Sequence, residues 1–220
     1  LNFSSIFFNA GAHIQHHYFF NMMKKNIKNP DWYINKKFNP AEELFEVYDK
    51  IVGNYLDIYD KEVIVATGLS QKLSDNPVFY YRLKNHKDFF NKIGINFEEI
   101  LPRMSRDFLI KFKSNEEASE AAEKICLIKD QLGNKLFEQI ENKGSSLFVS
   151  LTYPYEINKK TLIVGKNFEF SLEEHVVFVA LKNGIHSDKG YLFTSENILS
   201  KDKPSFHIKE IFKIINKYFL

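Results

Sequence analysis

Between Pro40 and Tyr59, residues Leu44, Val47, Tyr48, Ile51, Tyr55 and Ile58 recur three and four positions apart, the spacing of one helix face. Asn39-Pro40 starts this helix, because a proline in the first turn sacrifices no helical hydrogen bond. Short apolar runs bracket it, Phe3-Ser-Ser-Ile-Phe-Phe8 before and Glu62-Val-Ile-Val-Ala-Thr67 after. Nearly continuous apolar runs suit strands covered on both faces. Strand, long helix, strand is the order of a βαβ unit, so the expected class is α/β with a mostly parallel sheet flanked by helices.

The middle of the chain reads differently. Asp107–Phe112 alternates like a half-buried strand, and Ser114-Asn-Glu-Glu117 is a capping box opening a helix toward Leu132. Ser146–Thr152 and Phe168–Leu172 are further strand candidates. Residues 96–172 therefore read as a small α+β insertion, with 1–95 and 173–220 forming the main α/β domain as part of a larger one. Val176–Leu181 returns to the continuous apolar pattern, and Asn183–Gly190 reads as a loop before a short strand, Tyr191–Thr194. Residues 205–219 close the chain as an amphipathic helix, with Ile208, Ile211, Phe212, Ile215 and Tyr218 on one side.

A chain of 220 residues is long enough to bury a substantial core. The formal charge of +2, with 30 basic against 28 acidic residues, gives no reason to expect nucleic acid. The basic pairs Lys24-Lys25, Lys36-Lys37 and Lys159-Lys160 read as solvated surface. No apolar run approaches the roughly 20 residues of a membrane span. Cys126 is the lone cysteine, which fits a reducing compartment such as the cytoplasm; with Ala122 and Ile125 it reads as helix packing. The chain opens on Leu1 without a signal-peptide pattern, so residues upstream are expected to be missing.

Chemistry concentrates in Asn9-Ala-Gly-Ala-His13-Ile-Gln-His16-His17-Tyr18, which holds three of the seven histidines. Imidazole is the commonest transition-metal ligand and titrates near neutral pH. If the segment is helical, His13 and His17 share a face and could hold one ion. The alternative is packing against Tyr18, Phe19 and Phe20. His186, between Gly184 and Gly190, is the other candidate, with Asp188 as a supporting partner or a turn residue. Thr67-Gly-Leu-Ser-Gln71 is a third strand-end loop, although nothing marks a base for Ser70. His175 and His207, beside apolar runs, read as ordinary, and His86 as part of a polar loop. Arg103 and Arg106 suggest an anion contact or a structural ion pair. No phosphate-binding loop, dinucleotide fingerprint or nucleophile elbow is present.

The order of these three loops resembles the C-terminal half of the alkaline phosphatase superfamily, in its phosphodiesterase/nucleotide pyrophosphatase and sulfatase-like branches. Asn9 and His13 stand where that family has an aspartate followed by a metal-binding histidine. Gly68-Leu69 stands where it has an Asp-His pair, and Gly184–Gly190 resembles its late histidine loop. The resemblance implies hydrolysis of a small-molecule phosphate or sulfate ester by one or two divalent ions, zinc or manganese, with the nucleophile upstream. By position it makes Asn9, His13 and His186 metal ligands, with His17 in reserve and His16 packing locally. Asn9 in place of a carboxylate, and Gly68-Leu69 in place of ligands, leave a second expectation: a non-catalytic ligand- or partner-binding module that has lost its metals. A third is an unrelated α/β enzyme whose histidines act as acid and base.

Overall fold

The computed structural model describes residues 3–22, 29–35, 37–58, 62–165, 167–195 and 205–217. Its helices are α1 (Ala10–Met22), α2 (Pro40–Ile58), α3 (His86–Lys92), α4 (Asn115–Cys126) and α5 (Lys209–Asn216). Its strands are β1 (Ile64–Ala66), β2 (Ser70–Leu83), β3 (Glu99–Pro102), β4 (Asp107–Lys111), β5 (Lys129–Asp130), β6 (Gln139–Asn142), β7 (Ser146–Ser150), β8 (Leu162–Gly165), β9 (Phe168–Ser171), β10 (Val176–Ser187) and β11 (Leu192–Thr194). Lys24, Lys25, Lys36, Tyr59 and Tyr218 lie outside the described residues.

The chain forms two compact units, 1–76 with 183–220 and 77–182. The sequence had suggested boundaries after 95 and 172; the structural division falls within β2 and β10, which pair with each other.

Unit 77–182 is built on an antiparallel sheet of order β3-β4-β7-β6. Alternation dictates its inner face. Phe108 pairs with Val149 and Ile110 with Leu147, all four fully buried, while Leu109 and Phe148 between them are half-buried. α4 packs across β6 and β7 through Ala118, Ala121 and Ile125. The first half of its capping box forms, with Ser114 Oγ accepting from the Glu117 N–H at 3.2 Å, while Glu117 Oε2 accepts from the N–H of Lys113, one residue before the cap, at 3.2 Å. The helix ends at Cys126, short of Leu132, and half-buried Cys126 donates its Sγ–H to the Glu123 carbonyl at 3.1 Å. α3 ends at a left-handed Gly94 (φ 74°), and Gly144 (φ 77°) turns β6 into β7; both conformations are cheap only for glycine. Phe89, Phe90, Phe108 and Phe137 meet edge to face or tilted, with ring centroids 5.5–6.2 Å apart. A second small sheet runs β5-β8-β9, also antiparallel.

In unit 1–76 with 183–220, α1 packs on α2, and β1 pairs antiparallel with β11. The Gly11 N–H donates to the Tyr48 hydroxyl at 2.7 Å, and Phe8 stacks on the same ring at 4.8 Å. α1 is not continuous: Tyr18 (φ −129°, ψ 17°) is non-helical, which breaks the backbone ladder around it. Asn183 of β10 repairs the break. Its Oδ1 accepts from the Phe19 N–H at 2.7 Å, and its Nδ2 donates to the His17 carbonyl at 3.0 Å and to Asn29 Oδ1 at 2.6 Å.

Three expectations are corrected here. The sheets are small, and β1-β11, β3-β4-β7-β6 and β5-β8-β9 are antiparallel, so this is not an alkaline-phosphatase-like α/β fold with a mostly parallel sheet. Residues 3–8 carry no regular structure, and Phe7 is 85% exposed. Residues 183–187 are strand, the continuation of β10, where Asn183 and Gly184 had suggested a turn.

Candidate functional site

The helical spacing of the opening cluster is realised: the rings of His13 and His17 meet edge to face at 4.6 Å between centroids. His13 itself is exposed. Asn9 is exposed and precedes the helix, where its carbonyl accepts the first turn's bond from the His13 N–H at 3.4 Å.

The long-range meeting involves His16. Its Nε2 lies 2.9 Å from His186 Nε2 and 3.1 Å from Gln71 Nε2. Its Nδ1 lies 2.8 Å from the Gly184 carbonyl. The partner that the sequence assigned to His186 was His13; the structure supplies His16, which had been read as packing locally. Three segments, α1, the first residues of β2 and the last residues of β10, deliver these side chains.

Two sequence details make that convergence possible. The kink at Tyr18, held by Asn183, sets the course of α1 past β10. Gly184 then allows contact: a Cβ built there would collide with the Gln15 carbonyl oxygen. So Asn183-Gly184 is a docking point for a helix. Composition alone could not separate this role from that of a turn.

One nitrogen of His16 has its role fixed by its partner. A carbonyl only accepts, so His16 Nδ1 carries the proton and donates to Gly184. With that ring neutral, its Nε2 is a lone pair that both His186 Nε2 and Gln71 Nε2 face. Gln71 Oε1 is buried and has no hydrogen-bond partner among the described residues. His17 is half-buried, with its backbone carbonyl engaged by Asn183. Asp188 is exposed. Among the described residues, no three His, Cys, Asp or Glu side chains converge.

Polar clusters in the other unit have structural explanations. Buried Asp130 accepts from the Leu132 and Asn134 N–H groups (2.9 and 2.8 Å), Asn134 Nδ2 (2.8 Å) and Tyr153 OH (2.8 Å). Burial raises its pKa, but hydrogen bonds from Asn134, Tyr153 and Leu132 outweigh that and hold the carboxyl below its ordinary value. With every lone pair engaged, it organises a turn beside an open depression of about 360 Å³. Tyr81 is pushed up to about 12, chiefly by burial, and Tyr153 is raised by burial and by Asp130, so both phenols stay protonated. His175 is lowered by burial and then by Lys92, whose ammonium donates to His175 Nε2 at 3.2 Å; His86 is lowered by burial and then by Arg82. Arg106 lies over the Tyr80 ring at 4.2 Å, a structural role for one of the two arginines that had suggested an anion contact. No helix among the described residues is long and apolar enough to cross a membrane.

Compared with known protein families, curated proteins and solved structures, the chain matches none.

Proposed function

We propose that this protein binds one divalent transition-metal ion of the zinc class between His16 Nε2 and His186 Nε2. The observation that carries the reading is the convergence of two imidazole Nε2 atoms at 2.9 Å from positions 170 residues apart. A carbonyl on the far nitrogen of one ring supports it, because such a bond orients a ligand histidine and raises its basicity. Two nitrogens on a tetrahedral zinc, with bonds of about 2 Å, stand about 3.3 Å apart, so a few tenths of an ångström of opening admits the ion. Binding displaces the proton between the rings and leaves His186 protonated on Nδ1. Neutral ligands retain the ion's double positive charge, which favours water or a small anion in the open positions. Ion binding, rather than ester hydrolysis, is the function these residues argue for. A single cysteine among 220 residues supports a reducing, cytoplasmic setting.

Calorimetric titration of the whole chain with Zn²⁺ tests this. One ion per chain is expected, weakened at least about tenfold by His16→Ala or His186→Ala and little changed by His13→Ala. Affinity should also fall as the pH is lowered, as protons compete for imidazole. A wild-type chain that takes up no zinc at neutral pH overturns the reading.

A further inference from the structure

We infer that Gln71 is the third ligand of this site through Oε1, and that its side-chain amide turns over when the ion enters. The inference rests on the metal reading above. Three observations converge on it. Gln71 Nε2 stands 3.1 Å from His16 Nε2, within reach of an ion held by that nitrogen. His186 Nε2 stands 2.9 Å from the same nitrogen, so with His16 neutral two nitrogens compete for one lone pair. The oxygen of the same amide is buried without a hydrogen-bond partner among the described residues, an arrangement that leaves a polar group desolvated and unrewarded.

A half-turn about the Cγ–Cδ bond exchanges the two ends of the amide, which are nearly equal in size. Oε1 then faces the space between the histidines. Without a cation that orientation sets two acceptors, Oε1 and His16 Nε2, against each other, so the amide presents Nε2 instead. A metal ion reverses the preference, since every group around it must then offer a lone pair. Gln71 lies at the start of β2, whose partner β10 carries Gly184 and His186, so the backbone needs no rearrangement. The resulting set, two imidazole nitrogens and one amide oxygen, leaves a fourth tetrahedral position for water or an anion.

The test is zinc titration of the wild type, Gln71→Ala and Gln71→Glu, with the side-chain NH₂ resonances followed by ¹⁵N NMR. Gln71→Ala should bind one ion about tenfold more weakly, with an unchanged melting temperature in the absence of metal. Gln71→Glu, which offers a charged oxygen at the same place, should bind more tightly than wild type. The Gln71 NH₂ signal, identified by its loss in Gln71→Glu, should shift on adding zinc as the group leaves the imidazole. If wild type binds zinc but both variants bind it equally well and the NH₂ signal stays put, Gln71 is no ligand and the two-histidine reading survives. If Gln71→Ala does not fold, Gln71→Glu and the wild-type NH₂ signal decide. A wild type that takes up no zinc removes both proposals.

Discussion

Residues 77–182 bury Phe89, Phe90, Phe108 and Phe137 to 1% exposure or less, and their rings touch one another. Residues 1–76 with 183–220 bury, among their described apolar side chains, Phe20 and Ala41, and leave Phe7, Ile58 and Phe212 at 85, 74 and 68% exposure. The buried positions that organise this second region are polar or bare: Asn29, Asn183, Gly11 and Gly184. The contrast separates two ways of specifying structure. A dry aromatic core derives stability from area and packing density, and it tolerates no missing volume. A polar clamp contributes less net free energy but is directional, which suits holding three side chains at one point. The candidate site lies in the clamped unit, in keeping with the tendency of function to occupy regions of lower local stability.

The largest expected effect breaks the comparison most directly. Phe108→Ala should cost about 3–5 kcal/mol in chemical denaturation, whereas Phe7→Ala should stay within about 0.5 kcal/mol. Equal costs would show that the exposed ring is covered in solution. Hydrogen exchange sharpens the same point: amides of β4 and β7 should be the last to exchange, and those of α1 around Tyr18 should exchange well before them.

Asp130→Asn comes next, at roughly 2–3 kcal/mol, because a carboxylate with four donors becomes an amide that must itself donate. The sign follows from the depressed pKa. The native state favours the ionised form, so this stability is present above the ordinary carboxylate pKa and is lost as pH falls through the folded value. A denaturation series from pH 7 to 3 should therefore be flatter in Asp130→Asn than in wild type.

Asn183→Ala should cost about 1–3 kcal/mol, since it leaves the Phe19 N–H and His17 carbonyl without their side-chain partner. The polar clamp predicts a loss that spreads to His16, read as a changed imidazole resonance. A stability loss with the His16 signal unmoved would show that the clamp does not position the site. Smallest is the histidine contribution of the aromatic unit. His86 and His175 have lowered pKa values, so their neutral forms contribute stability above the unfolded value near 6.5, lost as pH falls through the folded values. His86→Gln should reduce the drop in melting temperature between pH 7 and 5.5 without changing the midpoint at pH 7 appreciably.

Much of the aromatic unit was legible in advance. The alternation of Asp107–Phe112 and Ser146–Thr152 and the capping box at Ser114 are local signals, and β4, β7 and α4 follow them. α2 likewise follows its helical spacing. The direction of strand pairing was not legible, because a short apolar run has the same composition in a parallel sheet, an antiparallel sheet or a segment without regular structure. Phe3–Phe8 is the third case, and β1 the second. β2 was missed because Ser70–Pro77 is polar and ends in Asn76-Pro77, a turn-like pair. Of the candidate site, histidine density drew attention to α1, and His186 to the end of β10, which the sequence reads as a loop. The four-residue rule selected His13 with His17, which do meet, but no local rule marks His16 as the residue facing β10.

By itself, the sequence determined that α2 and α4 are helices, that 107–111 and 146–150 are strands and where the imidazoles lie along the chain, because periodicity, capping and composition act over a few residues. Only the tertiary structure decided that the sheets are antiparallel, that Gly184 is a point of close approach, and that His16, His186 and Gln71 share one space. Those outcomes depend on a helix broken at Tyr18 crossing a strand some 165 positions away, and contact between such distant segments is governed by packing and by satisfaction of backbone hydrogen bonds rather than by local pattern.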